Sequence, residues 1–211
     1  MILLRKTKKK KWHVEKPLSL WKDSDVRLLF CHVQGEENCL AVATEEGNPQ
    51  SRSNMLEVEH VVKLYDYLVK QEKLAPPTVR ILTQYNAQRH VINKALKMKG
   101  FENAESNTVV SSQGGEWDYV IFSTVRSLPD YIIEEHQTQG WCTENLGFIT
   151  DQHQINVALT RARKGLIIIG NKKLLQCNLI WRELIKHYTT LGCVVDAKKQ
   201  NLTPLIRKRR N

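Results

Sequence analysis

Two arginines stand two positions apart near the end of the chain, directly before an apolar run. The stretch QINVALTRARKGLIIIGN (154–171) holds Arg161 and Arg163, and four apolar residues follow at 166–169. An arginine at the start of a buried strand can bind an anion, because its planar guanidinium donates two parallel hydrogen bonds to phosphate oxygens. The plainer interpretation is a helix that ends in solvated arginines and is followed by a tight turn. Taken alone, the pair favours that plainer interpretation.

The positive charge of the chain is concentrated at its two ends. The 211 residues carry a formal net charge of +10. Residues 1–11 contain six Lys and Arg and no acid, and residues 198–211 contain six more and no acid. Without these twelve charges, residues 12–197 have a net charge of −2. Basic ends of this kind are typical of segments that bind polyanions or a nuclear-import receptor, and they say little about the fold.

Composition also argues against several other classes of protein. The five cysteines form no C-x-x-C pair and the seven histidines are dispersed, so we expect reduced thiols and no metal site. The chain starts MILLRK, with apolar residues before charges, which is the wrong order for a secretory signal. No apolar stretch is long enough to span a membrane. We therefore expect an intracellular protein, cytoplasmic or nuclear, without membrane contact.

The elements that position the arginines form one α/β domain with a mostly parallel sheet. Near-continuous apolar runs predict buried strands, and amphipathic stretches between them predict helices on both faces of the sheet. Asn54 is predicted to cap the first helix, with Glu57 returning a bond to the Asn54 N–H as a capping box. Three polar clusters, at 83–88, 113–118 and 156–163, lie at junctions between strands and loops. We expect them at the carboxyl ends of the strands, where such sheets bind ligands.

The predicted domain spans residues 26–196, between an irregular basic lead-in at 1–25 and a basic tail at 197–211. Segments 34–53 and 127–150 are predicted as loops. The predicted strands are 26–33, 78–84, 107–112, 119–125 and 165–170. The first predicted helix begins at Asn54 and is ended by the APP segment at 75–77, and the other predicted helices are 85–100, 151–163 and 179–192.

Three of these segments, taken in order, resemble the motifs of a known family. VRILTQYNAQRHVI, TVVSSQGGEWDYVIFSTVRS and QINVALTRARKGLIIIGN are similar to the fourth, fifth and sixth motifs of superfamily 1 helicases of the Upf type, the nonsense-mediated-decay group. The match is to their second RecA-like motor domain, and RLLFCHVQGEE is similar to the helicase-with-zinc-finger proteins within that group. The resemblance implies a RecA-like three-layer fold of the P-loop NTPase type.

For the nucleotide, the resemblance implies a site shared with a first RecA-like domain. Arg161 matches the arginine that reaches the γ-phosphate of ATP, where its fork suits the charge that develops during hydrolysis. Glu116 matches the glutamate that binds the ribose hydroxyls, and Gln113 and Gly114 would form the turn that presents it. Arg163 would be a secondary contact or a structural residue.

For the nucleic acid, the resemblance implies contacts to the backbone of a single strand of RNA or DNA. Thr83, Thr108 and Arg126 match positions close to phosphates, which hydroxyl and guanidinium groups bind without reading sequence. Tyr85 could stack on a base, although a ring packed at the start of a helix is the better interpretation.

The chain departs from the family pattern at three positions. Gln84 stands where relatives usually have Pro, and Val110 stands where they usually have Asp. Met55 stands where several relatives carry an arginine that reaches the nucleotide, and Arg52 lies upstream of it. These departures bear on nucleotide affinity and leave the expected fold unchanged.

No G-x-x-x-x-G-K-[ST] sequence occurs in the chain, and no acidic pair follows a strand in a Walker B setting. We therefore expect no ATPase activity from this chain alone, with ATP and Mg²⁺ held together with a first motor domain in cis. The sequence predicts the second motor domain of an ATP-dependent helicase. The alternative is a non-catalytic scaffold with the same fold that binds nucleic acid or acts as a coactivator.

Overall fold

The computed structural model describes residues 18–21, 25–40 and 51–197. The basic segments 1–11 and 198–211 lie outside the described residues. Six parallel strands form one sheet in the order β5-β4-β6-β7-β1-β8, and two short strands form a separate antiparallel pair, β2-β3. The strands are β1 (Leu28–His32), β2 (Glu37–Leu40), β3 (Ser51–Asn54), β4 (Val79–Thr83), β5 (Ser106–Thr108), β6 (Trp117–Ser123), β7 (Ala162–Gly170) and β8 (Val194–Asp196).

Helices cover both faces of this sheet, which confirms the predicted α/β fold. The helices are α1 (Met55–Asp66), α2 (Asn86–Met98), α3 (Gln139–Leu146), α4 (Gln152–Thr160), α5 (Lys172–Leu175) and α6 (Leu179–Thr190). Because successive strand residues point to opposite faces, the apolar run of β7 supplies two cores. Ile167 and Ile169 pack with α1 and α2, whereas Leu166 and Ile168 pack with α4 and α6.

The packed body begins before residue 26, where the predicted domain starts. Leu18, Leu20 and Trp21 are buried in the core on the α1 side of the sheet. The Trp21 ring lies against Gly165 of β7, where a Cβ would come within 2.5 Å of it. Part of the predicted lead-in therefore belongs to the fold, and residues 1–17 and 22–24 lie outside the described residues.

Both predicted loops contain regular structure. The described parts of segment 34–53, residues 34–40 and 51–53, contribute to the antiparallel β2-β3 pair, in which Glu37 and Arg52 form an ion pair at 3.4 Å. Segment 127–150 contains α3, which Thr138 caps at its start, and two short 3-10 turns. Periodicity missed these elements because they are short and largely polar in sequence.

Other boundaries also differ from the prediction, and two of them bear on the site. The predicted strand 107–112 is only β5, followed by a 3-10 turn at Val110–Ser112. The predicted helix 151–163 ends at Thr160, since β7 already begins at Ala162, which pairs with Trp117. Arg161 thus occupies the junction between a helix and a strand.

The capping box predicted at the start of α1 is only half formed. The Asn54 side chain accepts a hydrogen bond from the Glu57 N–H at 3.2 Å, as expected. The Asn54 N–H, however, donates to the Gln88 side chain at 2.9 Å. Glu57 turns inward to Ser123 instead, so the second half of the predicted box is wrong.

Candidate functional site

The predicted site residues lie at two opposite edges of the sheet. Because β6 and β7 are parallel neighbours and Trp117 pairs with Ala162, the two strands begin at the same end of the sheet. The clusters 113–118 and 156–163 precede these strands and therefore lie at the amino edge. The cluster 83–88 follows β4 and lies at the carboxyl edge, about 20 Å away along a seven-residue strand. The expectation that all three clusters share the carboxyl edge is wrong for two of them.

At the amino edge, backbone carbonyl groups hold Arg161 in place. Its Nε donates to the Val157 carbonyl at 3.0 Å, within α4, and its Nη1 donates to the Gly115 carbonyl at 2.9 Å. In the other direction, the Trp117 N–H donates to the Arg161 carbonyl at 2.9 Å. These bonds tie Arg161 to the 113–116 turn. The guanidinium has five N–H bonds, so donors on its Nη atoms remain for a ligand.

The turn before β6 depends on its two glycines. Gly114 has a φ of +82°, in the left-handed region that glycine adopts without a Cβ penalty. At Gly115 a Cβ would lie 2.4 Å from the Trp117 ring. Gln113 and Glu116, on either side of the glycines, are exposed. The turn presents its polar side chains to solvent while its backbone holds Arg161.

Arg163 uses a different partner from Arg161. Its Nε donates to Glu116 Oε2 at 3.2 Å, and the two side chains are 58% and 53% exposed. An ion pair this exposed contributes about 0–1 kcal/mol to stability and exchanges readily with other ions. The structure therefore brings Arg161, Arg163 and Glu116 to one edge and gives the two arginines separate environments.

At the carboxyl edge, Thr83 and Thr108 end neighbouring strands and pair in register. Thr83 is fully buried, and its hydroxyl has no hydrogen-bond partner among the described residues. Thr108 forms a local turn with Ser111, whose N–H donates to the Thr108 hydroxyl at 3.1 Å. Of the two threonines, only Thr108 reaches the surface.

Tyr85 and Arg126 are both almost completely buried at the same edge. Tyr85 is 5% exposed and lies at the start of α2, with its ring centroid 6.4 Å from that of Phe148. Burial raises the pKa of Tyr85, and the nearby Arg126 guanidinium opposes that rise. Arg126 is 4% exposed and donates from Nε to Glu37 Oε2 at 2.9 Å. The ring thus packs in the fold, and the guanidinium is paired internally.

A cleft of about 600 Å³ opens beside Tyr85 and Arg126. Arg52 and Gly147 also line it, together with Phe148, which is 48% exposed. The sequence analysis missed Phe148, since 127–150 was predicted to be a loop of uncertain structure. It also missed Glu37, the acid that pairs with Arg52 and Arg126, and no sequence signal marked it.

The part of the chain that the structure describes lacks two features, a metal-binding cluster and a membrane-spanning helix. No group of three or more His, Cys, Asp or Glu side chains there is arranged to hold a metal ion. Among the same residues, no helix has the length and apolar character needed to cross a membrane.

Comparison with known proteins identifies the family of this chain. Residues 3–173 match a protein-family model described as an AAA domain, which includes β6, the turn before it and the Arg161 junction. The chain belongs to this AAA domain family. The match extends over most of the parallel sheet and both of its edges.

Three relatives show which type of AAA domain this chain is. The human 3'-5' exoribonuclease HELZ2 is 41% identical over 158 residues, which are 75% of this chain and 6% of the relative. A regulator of nonsense transcripts 1 homolog from Arabidopsis thaliana is 35% identical over 183 residues, 83% of this chain and 13% of the relative. The ATP-dependent helicase NAM7 of Saccharomyces cerevisiae is 31% identical over 189 residues, which are 86% of this chain and 17% of the relative.

These similarities confirm the resemblance found in the sequence: the chain is a superfamily 1 helicase domain of the Upf1-like type. It spans between 6% and 17% of the length of these three relatives.

Proposed function

We propose that this AAA domain is the second motor domain of an ATP-dependent helicase. Its amino edge faces a nucleotide that a first motor domain also binds, and its carboxyl edge contacts a single strand of nucleic acid. ATP binding and hydrolysis close and open the two domains, and this motion moves them along the strand.

The observation that carries this proposal is the environment of Arg161. Two backbone carbonyls fix the guanidinium, and no carboxylate neutralises it among the described residues. An arginine held in this way is oriented in advance, so its remaining donors meet phosphate oxygens without further loss of side-chain freedom. Its planar fork suits the charge that develops on the γ-phosphate during hydrolysis.

The other amino-edge residues fit one side of ATP. The Glu116 carboxylate can accept hydrogen bonds from both ribose hydroxyls, once it exchanges its exposed pair with Arg163. Gln113 and Gly114 shape the turn that presents it. The sequence has no Walker A segment, so the first motor domain holds Mg²⁺ and the other side of the phosphates.

At the carboxyl edge, the proposed ligand is the backbone of a single strand, with RNA the first candidate. Two of the relatives are described as a regulator of nonsense transcripts and as an exoribonuclease, and both descriptions concern RNA. Thr108 offers an accessible hydroxyl at this edge, and Thr83 lies directly beside it. Arg126 and Tyr85 form one wall of the cleft next to them. A phosphate that reaches Arg126 there competes with Glu37.

A second candidate function is a scaffold that binds nucleic acid or acts as a coactivator without coupling to ATP. The observation that favours it is that Glu116 and Arg126 are both engaged in ion pairs within the domain. Under this alternative the pairs are permanent, and the edges hold no nucleotide.

The two functions are separated by ATP hydrolysis in a longer chain. Residues 18–197 would replace the matching segment of yeast NAM7, which supplies a first motor domain, and phosphate release would be measured with and without single-stranded RNA. The helicase proposal predicts turnover that RNA stimulates. RNA binding without turnover, beside an active NAM7 control, would favour the scaffold. The 211-residue chain alone should show no turnover, and hydrolysis that survives further purification would contradict the proposal.

A further inference from the structure

A ring of buried hydrogen bonds joins the start of α1, the first turn of α2 and the end of β6. Ser123 Oγ donates to Glu57 Oε2 at 2.6 Å and accepts from Gln88 Nε2 at 2.9 Å. Gln88 Oε1 accepts from the Asn54 N–H at 2.9 Å. All four residues have no exposed surface. Because water does not reach the ring, each bond that is lost leaves a buried polar group unpaired.

The ring surrounds a strained turn at Val125. This residue has a φ of +72°, a conformation that β-branched residues rarely adopt. The Arg126 N–H donates to the Thr124 carbonyl at 2.8 Å, so the three residues form a γ-turn of the rare, strained kind. Strained backbone of this kind persists only where its surroundings determine it.

Two side chains from the start of α1 fasten this turn from both sides. The Val125 N–H donates to Glu57 Oε2 at 3.0 Å, and the Val125 carbonyl accepts from Asn54 Nδ2 at 3.1 Å. The turn reverses the chain, and the next side chain, Arg126, points into its pair with Glu37 at 2.9 Å.

We propose that Glu57 is a positioning residue: it holds the γ-turn at Val125 and thereby directs Arg126 at the carboxyl edge of the sheet. The contribution of Arg126 to nucleic-acid binding rests on the proposed function, whereas the stabilisation of the Val125 turn by Glu57 does not. Burial raises the pKa of Glu57 to about 8, so the group is mostly a neutral acid at pH 7, and a glutamine resembles it closely.

The contact of Glu57 with the Val125 turn is tested by a double-mutant cycle on the 211-residue chain, measured by thermal unfolding at pH 7. Glu57→Ala is expected to lower the unfolding midpoint by roughly 6–10 °C, because it leaves buried donors unpaired. In a Val125→Gly chain the same donors are left unpaired, but the strain of holding a β-branched residue at positive φ is absent, so the same change should cost measurably less. The loss of the Val125 side chain is common to both glycine variants and cancels in the comparison. Equal losses in the two backgrounds would overturn the proposal.

Two further variants separate positioning from general packing. Val61 is fully buried on the same helix and outside the ring, so Val61→Ala should cost the same with Val125 or with Gly at 125. Glu57→Gln keeps an acceptor oxygen for Val125 and Ser123, and it should lose less than half as much as Glu57→Ala. A glutamine as damaging as alanine would also overturn the proposal.

The effect on Arg126 is measured by fluorescence anisotropy of a labelled oligouridylate. Glu57→Ala and Arg126→Gln should weaken binding by a similar factor, about threefold or more, and the double variant should be no weaker than Arg126→Gln. If Arg126→Gln weakens binding and Glu57→Ala does not, Glu57 does not direct Arg126. If Arg126→Gln binds like the wild type, the proposed nucleic-acid role of Arg126 is wrong, and the unfolding cycle alone decides on Glu57.

Discussion

At the scale of single residues, two arginines with similar sequence positions differ in the partners that their side chains bind. Arg161 and Arg163 are two positions apart, yet one is held by carbonyl groups and the other pairs with an exposed carboxylate. A neutral anchor leaves the full positive charge of Arg161 available to a ligand. The pair with Glu116 reduces that of Arg163.

The buried carboxyl group of Glu57 leads to a prediction about pH. Desolvation raises its pKa to about 8, against the hydrogen bonds from Ser123 and Val125, and the charge of Glu37 raises it further. The folded state therefore binds the Glu57 proton more tightly than the unfolded state, in which the pKa is near 4.5. The stabilisation that the proton gives is complete below pH 4.5 and is lost as the pH rises through 8.

We expect the free energy of unfolding of the wild-type chain to fall relative to that of Glu57→Gln between pH 5 and pH 8.5. Urea unfolding of both chains at half-unit intervals measures this difference, and the titration of every other group is common to both. A difference that is constant with pH would show that Glu57 is ionised in the folded state at neutral pH.

At the scale of elements, the sequence predicts what burial dictates and misses what polar contacts hold. The runs that became β1, β4, β6 and β7 were predictable, because a parallel strand covered on both faces must be apolar throughout. The β2-β3 pair was not, since Glu37 links it to the rest of the fold by an ion pair with Arg126. The edges were misassigned because a polar cluster beside a strand shows only that it lies at an end. Its order relative to the strand decides which end.

The β2-β3 pair supplies a prediction about stability. Glu37→Gln removes the carboxylate that pairs with Arg126, whose side chain is 4% exposed, and leaves a buried charge without its partner. We expect a loss of about 3 kcal/mol in the free energy of unfolding. The matched control is Glu105→Gln, because Glu105 is 71% exposed in its pair with Arg80 and should cost under about 1 kcal/mol. Similar costs for the two variants would mean that the ion pair of Glu37 does not hold the β2-β3 pair.

At the scale of the whole molecule, the excess positive charge lies in the two ends of the sequence and not in the predicted domain between them. The net charge of +10 comes from the two ends, and residues 12–197 have a net charge of −2. A helicase domain of this charge is expected to bind a nucleic-acid strand through a few specifically positioned side chains. The basic ends are expected to bind polyanions without sequence specificity. The separate contributions of the basic ends and the folded body can be tested by measuring RNA binding in solution.

We expect the affinity of the 211-residue chain for single-stranded RNA to fall steeply with salt, with a log–log slope of roughly −0.7 for each phosphate neutralised. A chain trimmed to residues 12–197 should bind more weakly and show a flatter slope. The measurement is a salt titration of binding by anisotropy. An unchanged affinity and slope after trimming would place the basic surface in the folded body.

Arg161 is the residue on which the proposed function depends most, and its direct test is steady-state ATP hydrolysis with saturating RNA in the NAM7 chain that carries this domain. Arg161→Ala should lower turnover by about 10³-fold or more, with a much smaller loss in the binding of a fluorescent ATP analogue, because the guanidinium acts chiefly as charge develops. Arg161→Lys should fail as well, since an ammonium lacks the fork, and Arg163→Ala should have a mild effect. Equal losses for the two arginines, or near wild-type turnover by Arg161→Ala, would contradict the account.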